Sequence, residues 1–431
     1  MPSSRPTAED ALDSLVDGDR RVMPGTARSA LAHPTFRALY SGAFVSNIGT
    51  WMQNAVLAAF AFKLTGSPSF VGLIVFAQLG PMLLFSVLGG ALADLVDRRR
   101  LLIAVAGEQA LLTGVLAVYT LRADPSPAVL VVLVFAIGLG QAIQAPTYSA
   151  VLPALVGPED LNGAISLNST QMNASRVVGP AIGGVLFAGF GVSVVFALNA
   201  VSFFVVIMVL IAIRLPPVEA DDGKLKGWRR LAGGFVVARR QPVVRRVLTT
   251  MVLFSFFCLP FVTLIPVLAE DNLGVDPKSV GYGVLYACLG FGAVVGSLSI
   301  GTVFATSSKR RIVRRGLLAF SAFLVVLALV RHAAAAYPLM IIVGAAYFAI
   351  VTSLSTLLQE QLDDRVRGRV MALWVMSFGG TVPIGSLVAG TVIEATSITV
   401  VMLIGAGAAA LLGGYAYLYT TEPGPRRAAR S

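Results

Sequence analysis

Two charged side chains, Glu108 and Arg176, lie well inside apolar stretches of the chain, and no other Asp, Glu, Lys or Arg does. An ionisable group in such a setting is a functional candidate, because leaving it unpaired in hydrocarbon costs on the order of 3 kcal/mol or more. Glu108 and Arg176 are therefore candidates for a proton-binding site or a charge pair. The plainer reading ties them to each other, or to backbone carbonyls, as structure. Uncharged polar residues recur at helical spacing in other apolar stretches. Asn47, Thr50 and Asn54 share one helix face, Gln141, Gln144 and Tyr148 another, and Asn168, Gln171 and Asn173 follow. Lipid-facing helices would not carry such stripes, so they point to a water-filled cavity that binds a substrate. Trp51, Phe254, Phe256, Phe257 and Trp374 are candidate aromatic walls.

Two further clusters bear on movement rather than binding. Gly90 is followed one helical turn later by Asp94 on the same face, and then by Arg98, Arg99 and Arg100. The arginines alone would make a stop-transfer turn, which leaves the carboxylate ahead of them unexplained. In the second cluster, Arg176, Gly179, Pro180, Gly183 and Gly184, the proline removes a backbone hydrogen bond and the glycines thin the helix. That gives either ordinary close packing or a pliable seam. His33 and His332 stand far apart, and Cys258 and Cys288 lie in apolar stretches as expected buried thiols, so no metal site is expected.

Composition names the elements that must hold these residues. Hydrophobic residues make up 56% of the chain and charged ones 13%, against about 25% charged in soluble domains, and the mean hydropathy is +0.81. The expectation is an all-α membrane protein. Twelve apolar runs each approach the roughly 20 residues that cross a bilayer: 37–62, 70–93, 101–121, 128–151, 164–189, 192–213, 247–269, 280–304, 313–330, 337–358, 370–392 and 398–419. Residues 1–36 read as a polar tail with a short membrane-surface segment after Arg28, and 421–431 as a second tail. Residues 214–246 form a central loop, with an amphipathic surface helix expected around Trp228 to Val237. This loop divides a six-helix half, 37–213, from another, 247–420.

With the N-terminus inside, only Lys63, Arg122, Lys278 and Arg331 fall on outward loops, while every other basic residue except Arg176 falls inside. That asymmetry places both termini in the cytoplasm. It also makes the net charge of +11 a topology signal and a response to anionic lipid, with no nucleic acid implied. The halves echo each other at an offset of 206 residues, which carries Gly90 onto Gly296, Gly179 onto Gly385 and Gly184 onto Gly390. Asp94 maps onto Ile300, so the carboxylate has no second copy.

The segment from Gly90 to Arg99 resembles the signature of the major facilitator superfamily between helices 2 and 3, with Leu95 and Asp97 in place of a basic residue and a glycine. The Gly179-Pro180 to Gly183-Gly184 core resembles the helix-5 motif of its antiporters. Together with Leu64 to Ser67 and the Arg365, Arg367, Gly368, Arg369 stretch, the chain is similar to the enterobactin-exporter-like branch, also called transmembrane secretion effectors. Thr50 stands where members often carry an acid. The resemblance implies two pseudo-symmetric six-helix halves and a monomer in the bacterial inner membrane. It also implies export of a small amphipathic molecule, a siderophore or drug-like compound, by proton antiport with alternating access. Gly90, Asp94, Arg98 and Arg99 would form a conformational gate, with Asp94 facing the N-terminus of helix 11 near Gly368 to Ala372 and Arg98 facing Asp363 or Asp364.

No Walker motif, HExxH, CxxC or Ser/His/Asp grouping is present, so neither ATP-driven transport nor an enzyme is expected, and no cofactor. A lipid flippase or importer on the same fold, and a receptor or scaffold without flux, are the competing readings.

Overall fold

The computed structural model describes residues 25–213, 235–362 and 364–420; of residues 84, 86–91, 93–95, 364, 365, 367, 368 and 417–420 it describes the backbone only. A short helix α1 (Ala27–Ala32) leads into α2 (Pro34–Thr65), α3 (Pro68–Leu95), α4 (Arg98–Tyr119), α5 (Pro127–Phe190) and α6 (Val192–Ala212). Beyond the central segment come α7 (Pro242–Cys258), α8 (Pro260–Thr263), α9 (Ile265–Val267), α10 (Val280–Gly301) and α11 (Lys309–Leu329). The chain ends on α12 (Ala333–Glu360), α13 (Asp364–Gly379), α14 (Thr381–Ala395) and α15 (Ile398–Thr420). No strand occurs among the described residues.

The helix ends follow local chemistry. Proline opens α2, α3, α5, α7 and α8, where its missing N–H is lost at no cost. The Ser67 hydroxyl accepts from the Phe70 N–H at 3.1 Å, and Asp97 accepts from the Arg100 N–H at 2.8 Å. These are N-caps. Asp97 thus replaces the glycine of the resembled signature with a cap. Gly66, at φ 64°, closes α2 in the left-handed region that a side chain would resist.

All twelve apolar runs fall on these helices, and the protein is a multi-pass membrane protein. Among the described residues, eight helices are long and apolar enough to cross a bilayer. One of them, α5, has 64 residues and consists of two helical arms that meet at a kink at Gly157.

The short connection between the fourth and fifth runs is itself helical. Helix continues through both, broken only at Gly157, whose φ of 75° and ψ of 165° are non-helical. The seventh run is interrupted, because Pro260 and Pro266 cannot continue the ladder and Leu268–Asn272 winds as a π-turn. The eleventh run breaks between Gly379 and Thr381. Where a short surface segment was expected after Arg28, Ala27–Ala32 is helical, and Ala30 and, on α2, Phe36 are buried. Phe254 is no cavity wall but packs edge-on to Phe320 at 5.2 Å in the core. Of the expected surface helix, 235–240 is helical and 228–234 lies outside the described residues.

Candidate functional site

Arg176 sits at the junction between the helices up to α6 and those from α7 on. Its guanidinium lies 4.9 Å from the Trp51 ring of α2 and 4.8 Å from the Phe348 ring of α12. A cation between two aromatic faces gains from both ring quadrupoles. Its Nε is buried without a hydrogen-bond partner. On the same helix segment, both amide atoms of Gln171 and the hydroxyl of Ser175 are buried and equally unpartnered. Buried polar groups are nearly always satisfied, so these four atoms within six residues of one helix leave an unusual amount of hydrogen-bonding capacity unused. Gln171 belongs to the predicted cavity set; Phe348 and Ser175 were missed. An aromatic residue in an apolar run carries no signal of its own, and nothing in the period of one helix reveals a ring supplied by another.

Glu108 stands elsewhere. Its carboxylate accepts from the Gln109 side-chain amide at 2.8 Å, and that amide also reaches the Ile137 carbonyl at 2.7 Å. Gly140 lies so close that a Cβ there would overlap the Glu108 carboxylate and the Gln109 amide. Of the alternatives open for Glu108 and Arg176, the charge pair between them is not formed: among the described residues no ion pair joins them. α4 packs its acid against α5 at Gly140, while Arg176 leaves α5 farther along, toward α2 and α12.

The polar stripe of α2 divides into two uses. Gln53 accepts from the Asn199 amide at 2.7 Å, a buried pair that ties α2 to α6. Asn54 accepts from Gln78 at 2.5 Å and ties α2 to α3. Asn47, Thr50, Gln141, Gln144 and Asn168 are partly exposed, and Tyr148 packs with Tyr40 in a smaller core. Ser166, Ser169 and Thr170, exposed beside Asn168, extend the α5 stripe beyond what sequence reading selected.

The helix-5 cluster is a seam. Cβ atoms at Gly179 and Gly183 would lie 2.7 Å from Trp51 Cβ and 2.8 Å from Met52 Cγ, and one at Gly184 would lie 2.5 Å from the Gly283 backbone of α10. The Pro180 carbonyl faces Gly283, and the Arg176 carbonyl faces Gly290. Gly390 of α14, 206 residues beyond Gly184, meets the backbone of Pro68 and Ser69 at the start of α3. The same end carries polar ties: Lys63 pairs with Asp276 at 3.1 Å, Glu394 accepts from the Ser67 hydroxyl, and the Tyr282 hydroxyl donates to the Ala55 carbonyl at 2.8 Å. The backbone N–H of Lys278 and the Lys63 ammonium hold the Asp276 carboxyl below its ordinary range.

At the opposite end, Arg99 donates to the carbonyls of Leu210 and Ile211, each at 2.7 Å. Those are the last turn of α6, where carbonyls lack helix partners and the dipole favours a cation. Arg98 donates to the Ala150 carbonyl at 3.0 Å. Gly90 and Asp94 lie on α3 as expected, but their side chains, with Asp363, Asp364 and Gly368, are outside the described part. Sequence reading missed a further tie here. Asp160, at the break in α5 between the fourth and fifth runs, accepts from the Gly25 N–H and the His33 ring, both at 2.9 Å. Hydrogen bonds from Ser29, His33 and Gly25 hold its carboxyl down to about 2.

The model of a family described as transmembrane secretion effector matches residues 25–426. The staphyloferrin A transporter of Staphylococcus aureus is 25% identical over 356 residues, 81% of this chain and 87% of that protein. The enterobactin exporter EntS of Escherichia coli O1:K1 / APEC is 27% identical over 350 residues, 79% and 81% of the two chains. Among solved structures, a bacterial homologue of the human lysosomal transporter Spinster, inward-facing and occupied, superposes with a TM-score of 0.72 at 14% identity, over 89% of this chain and 96% of that one. The nucleoside transporter NupG gives 0.69 at 13%, over 90% and 100%. At these identities the structures speak for the fold alone.

Proposed function

The chain belongs to the transmembrane secretion effector family, and on that premise we propose that it is a proton-coupled exporter of a small amphipathic molecule working by alternating access. The protein is a major facilitator transporter, and its relatives include transporters of siderophores. In this reading the helices up to α6 and those from α7 on are two six-helix halves of a monomer in the bacterial inner membrane. Both termini are cytoplasmic, so the Lys63–Asp276 end faces outward.

The observation that carries the reading is the seam. Among the described residues, the close contacts between the two helix sets run from Lys63 and Asp276 through Gly184 and Gly283 to Leu83 and Arg176. Two bundles joined along small residues at one end can rock about that contact and open at the other. Asn47, Thr50, Gln141, Gln144 and Asn168 would line the space that opens. Asp94, with Arg98 and Arg99, would gate its cytoplasmic mouth. Glu108 would carry the proton, since its carboxylate is held by a neutral amide.

Uptake into inverted vesicles or proteoliposomes tests this. Transport should rise with an imposed pH gradient and collapse when the gradient is dissipated. Flux that ignores the gradient would favour a flippase or facilitator, and no flux with any compound would refute transport.

A further inference from the structure

We infer that Arg176 anchors an acidic group of the transported solute, a carboxylate or a comparable anion, with Ser175 and Gln171 as neighbouring hydrogen-bonding groups. The inference rests on the transporter reading and narrows its substrate class. Four observations converge on it. Arginine keeps its charge in protein interiors and presents five donors in a fixed fork. Among the described residues, Arg176 has no ion pair and no hydrogen bond; its neighbours are the two rings and the Tyr347 phenol, an electrostatic partner that carries no full charge. The Trp51 and Phe348 rings lie against the guanidinium without taking a hydrogen bond from it, which leaves its fork of N–H groups to suit the two oxygens of a carboxylate. Finally, Nε of Arg176, Oγ of Ser175 and both amide atoms of Gln171 are buried and unsatisfied within six residues.

Position strengthens the case. Trp51 belongs to α2 and Phe348 to α12, so the anion would sit where the two helix sets meet, in contact with side chains of both. A ligand bound there links its own occupancy to the relative position of the sets. A neutral solute would leave the cation uncompensated. An acid completes the site, and its apolar body is left to the half-buried polar and aromatic surface around Thr50 and Phe348.

The test uses the full chain in phosphatidylcholine nanodiscs and a matched pair of probes, 4-phenylbutyrate and 4-phenylbutyramide, measured by equilibrium dialysis. The acid should bind at least tenfold more tightly than the amide. Arg176→Gln should bring the acid down to the level of the amide, Arg176→Lys should keep part of the preference, and Gln171→Leu should weaken the acid several-fold. Equal binding of acid and amide by the unaltered protein, or no binding of the acid at millimolar concentration, overturns the inference, whether or not the variants fold. Loss of acid binding in discs containing phosphatidylglycerol would also overturn it, because the site would then take a lipid headgroup. The two readings fail separately. An acid preference without gradient-driven flux of any compound sinks the transporter and spares the site. Gradient-driven flux of a neutral compound that survives Arg176→Gln sinks the site and spares the transporter.

Discussion

Glu108 and Arg176 share a burial problem and solve it differently. Arg176 keeps its charge beneath two rings, while the Glu108 carboxylate leans on one amide donor. If Glu108 is the proton carrier, Glu108→Gln should abolish uphill transport and leave substrate exchange down its own gradient intact. Counterflow in proteoliposomes separates the two, and full gradient-driven export by this variant would rule the proton role out. Gly140 makes a second test at the same place. Gly140→Ala puts a methyl group into the space of the Glu108 carboxylate and Gln109 amide. Both groups are the ends of flexible side chains that can swing aside, so the cost should stay near the low end of overpacking, about 1 kcal/mol, and appear as a small drop of the Tm in detergent. Gly114→Ala on α4, the helix that carries Glu108, meets only Ala200 at 4.0 Å and should leave the Tm nearly unchanged.

At the scale of elements, α1 is the part least foreseen. It is six residues long and too short to stand alone, yet Thr26 caps it and Asp160 receives its flanks. Because the docked Asp160 carboxyl is held to about 2 against an ordinary 3.8, it favours docking fully above the higher value. That contribution fades as the pH falls through the lower one. A spin label at Ala27→Cys should therefore stay ordered until strongly acid pH, and Asp160→Asn should mobilise it at neutral pH. An equally ordered label in both proteins would refute the tie. The long apolar helices were legible, eight of them among the described residues being able to cross a bilayer, since hydrocarbon demands long apolar runs and leaves a strong mark on sequence. The breaks at Pro260, Pro266 and Gly380 were not, because a helix can stop inside an apolar run without any change in hydropathy. Nor were the partners of Gln53 and Asn54. One helix's period shows that polar residues share a face, but not whether that face meets Asn199, Gln78 or water.

For the molecule as a whole, the seam makes motion testable. Ser67→Cys with Glu394→Cys should form a disulfide across the two helix sets, since the native side chains are hydrogen-bonded. Oxidation should cut transport at least tenfold and a reductant should restore it. Undiminished transport by the oxidised protein would mean that this end does not open. Reporters fused after Ser431 and inserted near Asp222 should both read cytoplasm, and an outward signal at either would break the topology.

The tie between His33 and Asp160 also sets an order in time. The two residues are 127 positions apart, and ribosomes add roughly 5–20 residues per second. The segment around His33 therefore waits on the order of 6 to 25 s for the residue that receives it. During that interval α2, α3 and α4 must enter the bilayer with α1 unattached. Its docking can only register that the fourth run has been made and that the chain has passed the break at Gly157. The short helix thus closes behind the first four runs, and chains truncated before Asp160 should leave it open to protease while longer ones protect it.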